Sequence, residues 1–179
     1  ATVLKVSRIL TNACAQMIEG QVLDLTYEQK STISVDDYLL MISKKTGALL
    51  ECSLEIGSAI GTKDQAKEAG MRRFGKGIGL LFQVRDDMLG VWGLEATTGK
   101  PTASDLRSRK NSLPVVHALW NGKDTTSGNQ FATIYRKKDP LSDQEVTDLL
   151  TILGEMKSHE FCERIASEQV HETLSELNN

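Results

Sequence analysis

Apolar residues return at steps of three and four along this chain, and no stretch alternates. That pattern restricts the fold more than any composition figure, because a helix repeats its buried face every 3.6 residues and a strand every two. Val3, Val6, Leu10, Ala13, Cys14, Met17 and Ile18 open a first helix over about 1–24. Ser34 with Asp37 three residues on resembles a capping box with Asp in place of Glu. The helix behind it carries Leu39, Ile42, Leu49, Leu50, Leu54 and Ile56 to about Ile60. A longer periodic segment spans about 64–92 through Phe74, Ile78, Leu81, Phe82 and Leu89. Residues 93–111 read as a charged loop, Pro114 as the first turn of a short helix to Trp120, and 121–129 as a polar turn region. Ser142 to Glu145 is a second capping box, opening a helix lined by Val146, Leu149, Leu150, Leu153 and Met156. Phe161, Ile165, Val170, Leu174 and Leu177 mark the last helix. The pattern predicts one all-α domain over 1–179, a helical bundle with antiparallel neighbours joined by short loops. Since the chain opens at Ala1 already inside a helical pattern and without a cap, further helices are expected to precede it.

Charge and cysteine content narrow the function classes. The 179 residues hold 21 Lys and Arg against 24 Asp and Glu, a formal charge of −3. A weakly acidic chain is a poor match for nucleic acid or for an anionic membrane surface. Cys14, Cys52 and Cys162 are odd in number and far apart, which fits no disulfide framework and favours a reducing compartment. No apolar run approaches the roughly 18 residues of a membrane span, so a cytoplasmic protein is expected. His117, His159 and His171 show no paired zinc spacing.

One helix face is out of keeping with its surroundings. Lys76, Gly79, Gln83, Asp86, Asp87 and Gly90 lie three or four apart and so share a side of the 64–92 helix. Adjacent carboxylates repel each other and favour a bound cation, and hard oxygen ligands suit Mg²⁺, which bridges carboxylates to phosphate oxygens. Lys100, Arg107, Arg109 and Lys110 come next, in the loop, where they could close over an anion held by the metal. The plainer alternative is a solvated helix end leading into a flexible segment. Gly75, Gly77 and Gly79 lack the preceding strand and the spacing of a phosphate loop, and read as helix packing.

Phe82-Gln83-Val84-Arg85-Asp86-Asp87-Met88-Leu89-Gly90 resembles the second aspartate-rich motif of the trans-polyprenyl diphosphate synthases. Three other segments resemble the same family in order and spacing. They are Gly20-Gln21-x-x-Asp24-Leu25, Lys45-Thr46-Gly47-Ala48-Leu49, and Gly99-Lys100 through Asp105 to Lys110 with Ser112-x-Pro114 after it. The resemblance covers nearly the whole chain and looks like the family's C-terminal portion. It implies the all-α isoprenoid synthase fold, usually dimeric, with isopentenyl diphosphate and an allylic diphosphate as substrates and Mg²⁺ as the metal. The products would be longer polyprenyl diphosphates joined head to tail. Carried over by position, it makes Asp86 and Asp87 the metal residues, with Asp86 the direct ligand. Lys45, Lys100, Lys110 and, less directly, Gln21 would bind substrate, and Thr46 and Gln83 would position the reacting groups.

Two departures stand out. The second motif ends in Gly90 where the family has a third aspartate, which predicts a site one negative charge short. The family's first aspartate-rich motif has no match before Asp24, and Asp36-Asp37 reads as a helix start. Product length, set around that first motif, is therefore not legible. Two other readings stay open: a non-catalytic helical partner subunit, and a class I terpene cyclase, whose N-x-x-x-S-x-x-x-E run is not found.

Overall fold

The computed structural model describes residues 2–99 and 101–177, which hold helices and no strand. The order is α1 (Thr2–Glu28), α2 (Val35–Ile42), a π-helical turn (Ser43–Gly47), α3 (Ala48–Gly61), α4 (Gln65–Trp92), α5 (Glu95–Thr98), α6 (Ser104–Arg107), α7 (Leu113–Asn121), α8 (Thr126–Tyr135), α9 (Asp143–Glu155) and α10 (Ser158–Ser175). Among the described residues no helix is long and apolar enough to cross a membrane.

The chain divides into two compact units. The first holds α1 down to Thr26, residues Leu39–Gln83 and α10 from Ala166. Ala13, Met41, Ile42, Ala48 and Cys52 are buried in it. Its helices approach closely because glycines remove the side chains that would hold them apart. A Cβ on Gly20 of α1 would lie 2.3 Å from the Lys45 backbone nitrogen, and one on Gly79 of α4 would lie 2.5 Å from the Gly47 Cα. Both contacts bear on the π-helical turn, so the expectation that Gly79 serves helix packing holds.

The second unit comprises Tyr27–Tyr38 and Val84–Ile165. Its core gathers Val91, Leu106, Val115, Phe131, Leu149 and Leu153, all fully buried. Each helix start has a local cause. The Ser34 hydroxyl accepts from the Asp37 N–H and donates to its carboxylate. Pro114 sits in the first turn of α7, and Ser142 and Glu145 form a complete capping box at α9.

Four expectations about element limits need correction. The first helix continues to Glu28 rather than ending near residue 24. The helix expected to run unbroken to Ile60 is interrupted at Ser43–Gly47, where one turn widens to the π form. The charged loop at 93–111 contains α5 and α6, and its Ala103, Asp105 and Leu106 are buried. The polar turn is short, because α8 begins at Thr126, capped by the Thr125 hydroxyl accepting from the Gly128 N–H.

Candidate active site

In the first unit the candidate side chains cluster on the π-helical turn. A π turn winds more loosely than an α-helix, and such single turns gather at functional sites. Here it presents Lys45 and Thr46. The Lys45 ammonium is ion-paired with the Asp24 carboxylate of α1, and both are partly exposed. This pairing comes from Gly20, one helical turn before Asp24, which lets α1 lie against the Lys45 backbone. The Thr46 hydroxyl donates to Gln83 Oε1 at 2.7 Å. The structure thus brings together Asp24, Lys45, Thr46 and Gln83, while Gln21 stands exposed on α1.

The second unit carries the acidic residues, and the two neighbouring aspartates differ sharply. Asp87 is fully buried. Its Oδ2 accepts from the Leu113 N–H at 3.0 Å and from the Tyr38 hydroxyl, and its Oδ1 accepts from the Lys110 ammonium at 3.2 Å. The Asp86 side chain is 48% exposed. Lys110 Nζ stands 3.2 Å from Asp87, 3.2 Å from Asp105 and 3.7 Å from Asp86, so three carboxylates converge on one ammonium. Partial burial works against the charged amine, but Asp87 and Asp105 more than offset it and hold its pKa above the ordinary lysine value.

Lys110 is also fixed from behind. Its carbonyl accepts from the buried Tyr135 hydroxyl at 2.9 Å, and its N–H donates to the Asp105 carbonyl at 2.9 Å. Burial, and then the Asp105 charge, push the Tyr135 phenol far up, so it remains a neutral donor. Lys110 thus places one positive charge beside the adjacent aspartates. Arg107 and Arg109 are engaged elsewhere: Arg107 pairs with Asp143 at 2.8 Å, and Arg109 donates to the carbonyls of Tyr135 and Asp139. Lys100 lies outside the described residues.

A family model described as polyprenyl synthetase matches residues 1–153. The chain belongs to the polyprenyl synthetase family. It is 32% identical over 170 residues to a geranylgeranyl diphosphate synthase of Mycobacterium tuberculosis, covering 95% of this chain and 48% of that protein. It superposes on a polyprenyl synthetase from Streptomyces coelicolor with a TM-score of 0.92 and 34% identity, covering 99% of this chain and 54% of the other. A geranylgeranyl pyrophosphate synthase from Corynebacterium glutamicum, complexed with isoprenyl diphosphate and magnesium, gives 0.88 and 25%, covering 99% and 50%. The chain spans about half the length of these relatives. These comparisons settle the fold as the all-α isoprenoid synthase type.

Within this candidate site, sequence reasoning missed Tyr38 and Tyr135, which hold Asp87 and Lys110. A signal existed for Tyr38, since a phenol on an apolar helix needs a buried partner for its hydroxyl. Tyr135 gives less warning, because its helix, α8, begins where the sequence suggests a polar turn.

Proposed function

We propose that the protein is a prenyltransferase that condenses isopentenyl diphosphate with an allylic diphosphate, head to tail, using Mg²⁺. In that reaction the allylic C–O bond ionises, the isopentenyl double bond attacks the allylic carbon, and a proton leaves. A dimeric, cytoplasmic enzyme is part of the same reading. The observation that carries it is the convergence of Asp86, Asp87 and Asp105 on Lys110.

The residues present fit the metal. Their donor atoms are carboxylate oxygens, and Mg²⁺ is commonly held by one or two protein carboxylates together with waters and substrate phosphates. Among the described residues no group of three His, Cys, Asp or Glu is arranged to chelate an ion. Asp86, half-exposed, would hold the ion, whereas Asp87 is committed to Tyr38, Leu113 and Lys110. When bound, Mg²⁺ supplies positive charge to the departing diphosphate. The Corynebacterium relative's complex with magnesium supports this choice.

The chain's own groups do the rest. Lys45 and Lys110 bind diphosphate oxygens as point charges, each held beforehand by carboxylates that fix its direction. The Thr46 hydroxyl donates its hydrogen bond to Gln83 Oε1, which leaves its own oxygen lone pairs to face a cationic carbon. Asp87 orients Lys110 and braces the start of α7 through the Leu113 N–H.

Incubation with Mg²⁺, radiolabelled isopentenyl diphosphate and allylic diphosphates of increasing length tests the reading. The expected result is a longer prenyl diphosphate, and Asp86→Ala lowering turnover by about 100-fold or more. Product from Asp86→Ala at the wild-type rate would overturn the metal assignment. No product from any allylic substrate, in a protein that also carries the half of its relatives' length that this chain does not span, would overturn the prenyltransferase reading.

A further inference from the structure

A π-helical turn is rare, and it persists where its surroundings hold it. Two glycines let helices close on the turn at Ser43–Gly47. A Cβ on Gly20 of α1 would lie 2.7 Å from the Lys45 Cα and 2.9 Å from the Lys44 carbonyl carbon, so α1 rests on the peptide that joins the two lysines. Gly79 of α4 rests on Gly47 in the same way. These contacts set how near the turn lies to its neighbours. They do little against its rotation, because a glycine offers no side chain to grip.

Rotation is opposed by charge. The Lys44 ammonium donates to Glu19 Oε2 at 2.6 Å, and the Lys45 ammonium donates to Asp24 Oδ2 at 2.5 Å. The spacing from Glu19 to Asp24 separates them by about 140° around α1, and Gly20 lies between them on that circumference. Two successive lysines therefore pass α1 on opposite sides of its glycine, and each ends on a carboxylate. A turn that rotates toward one carboxylate draws away from the other. The Thr46 hydroxyl, bonded to Gln83 Oε1 at 2.7 Å, is carried by the same rotation. Lys44 stands just outside the segment that begins at Lys45, and its plainer reading is a surface ion pair, with the Glu19 side chain 59% exposed and that of Lys44 30% exposed. An exposed pair adds little to stability. What such a pair can supply is direction.

We propose that Glu19 and Lys44 are a positioning pair that sets the rotation of the π-helical turn, so that Lys45 faces the diphosphate and Thr46 the reacting carbon. The seat of the pair follows from the first unit alone, and its role rests on the prenyltransferase reading. Neither residue touches substrate; both act through Lys45 and Thr46.

Two measurements test this. The first is hydrogen exchange of the Ser43–Gly47 amides in Lys44→Gln and in Glu19→Gln. Each variant exchanges about fivefold faster than wild type across the turn, while Tm moves by less than about 2 °C. Exchange at the wild-type rate in either variant would overturn the clamp. The second is calorimetric binding of methylenediphosphonate with Mg²⁺, in a protein that also carries the half of its relatives' length that this chain does not span. Glu19→Gln and Lys44→Gln each raise Kd about fivefold, and the exchanged pair, Glu19→Lys with Lys44→Glu, returns it to within about twofold of wild type. The sign for Glu19→Gln decides between positioning and mere charge. If Lys44 only lent its charge to the diphosphate, freeing it from Glu19 would tighten binding. That result would overturn the role, as would an unchanged Kd or no recovery in the exchanged pair. Wild-type protein that binds no Mg²⁺–methylenediphosphonate would sink the prenyltransferase reading and the role with it, while exchange in the turn would still decide the seat.

Discussion

Asp86 and Asp87 are neighbours in sequence, but replacing each with asparagine should separate folding from chemistry. Asp87→Asn keeps the volume and removes the charge at a fully buried position. Three donors converge on that carboxylate: the Tyr38 hydroxyl, the Leu113 N–H at 3.0 Å and the Lys110 ammonium at 3.2 Å. An amide has one acceptor oxygen and an NH₂ group, so at least one donor would meet another donor. A hydrogen bond to a charged group contributes about 1.5–3 kcal/mol, and breaking a buried charge pair from one side costs about 3–5 kcal/mol. Lys110 is 41% exposed, so its share is screened and the lower part of that range applies. About 3–4 kcal/mol lost from a chain of this size corresponds to a fall in Tm on the order of 10 °C. Asp86→Asn touches a half-exposed side chain 3.7 Å from Lys110, worth less than about 1 kcal/mol and a shift of about 2 °C. Differential scanning calorimetry of both variants, with urea unfolding as a second probe, reads the difference. Equal losses in the two variants would refute the assignment of Asp87 to structure and Asp86 to the metal.

Gly79→Ala should destabilise by about 1–3 kcal/mol, because its methyl meets the Gly47 backbone at 2.5 Å, whereas Gly57→Ala, with open space around it, should stabilise by about 0.5–1 kcal/mol; urea midpoints check both signs. His117 is buried, bonded through Nδ1 to the Ser158 hydroxyl at 2.9 Å and stacked on Phe161, and burial, then the Arg164 charge, lowers its pKa. The unfolded chain then takes up the proton first as pH falls. The stability this histidine contributes is full above the unfolded value of about 6.5 and is lost as pH drops through the depressed folded value. Unfolding measured from pH 8 to 5 should show a loss that His117→Gln flattens.

Helix limits are legible where side chains themselves satisfy backbone groups. The boxes at Ser34 and Ser142 stand in the structure where the sequence places them. Helix α8 is not legible, because Thr126, Ser127, Gly128 and Asn129 are weak helix formers and the helix stands on the burial of Phe131 and Tyr135. The π-helical turn leaves no trace either, since one extra residue in a helix changes no composition and hardly disturbs a short apolar pattern. At the candidate site, motif spacing locates Lys45, Thr46, Gln83, Asp86 and Lys110, and the structure pairs Thr46 with Gln83 and Lys110 with Asp86. What spacing cannot separate is the fate of two adjacent carboxylates. Asp86 and Asp87 point about 100° apart around a helix, and only the surroundings decide which meets solvent. Nor can it place Asp105, whose carboxylate reaches Gly90 from α6, a separate short helix.

The π-helical turn also fixes which changes of length the chain can absorb. Shortening Ser43–Gly47 by one residue would let it close into an ordinary α-helical turn with every peptide group still bonded, so local pairing would record no damage. In α3 the phase would hold, since the wider turn only accommodates the extra residue that an α-helical turn lacks. The loss would fall inside the turn, where Lys45 and Thr46 would be rotated off their partners Asp24 and Gln83. Loops commonly tolerate insertions and deletions because they carry little of the core; here a helical stretch could lose a residue and keep its core, and its residue count constrains the candidate site instead.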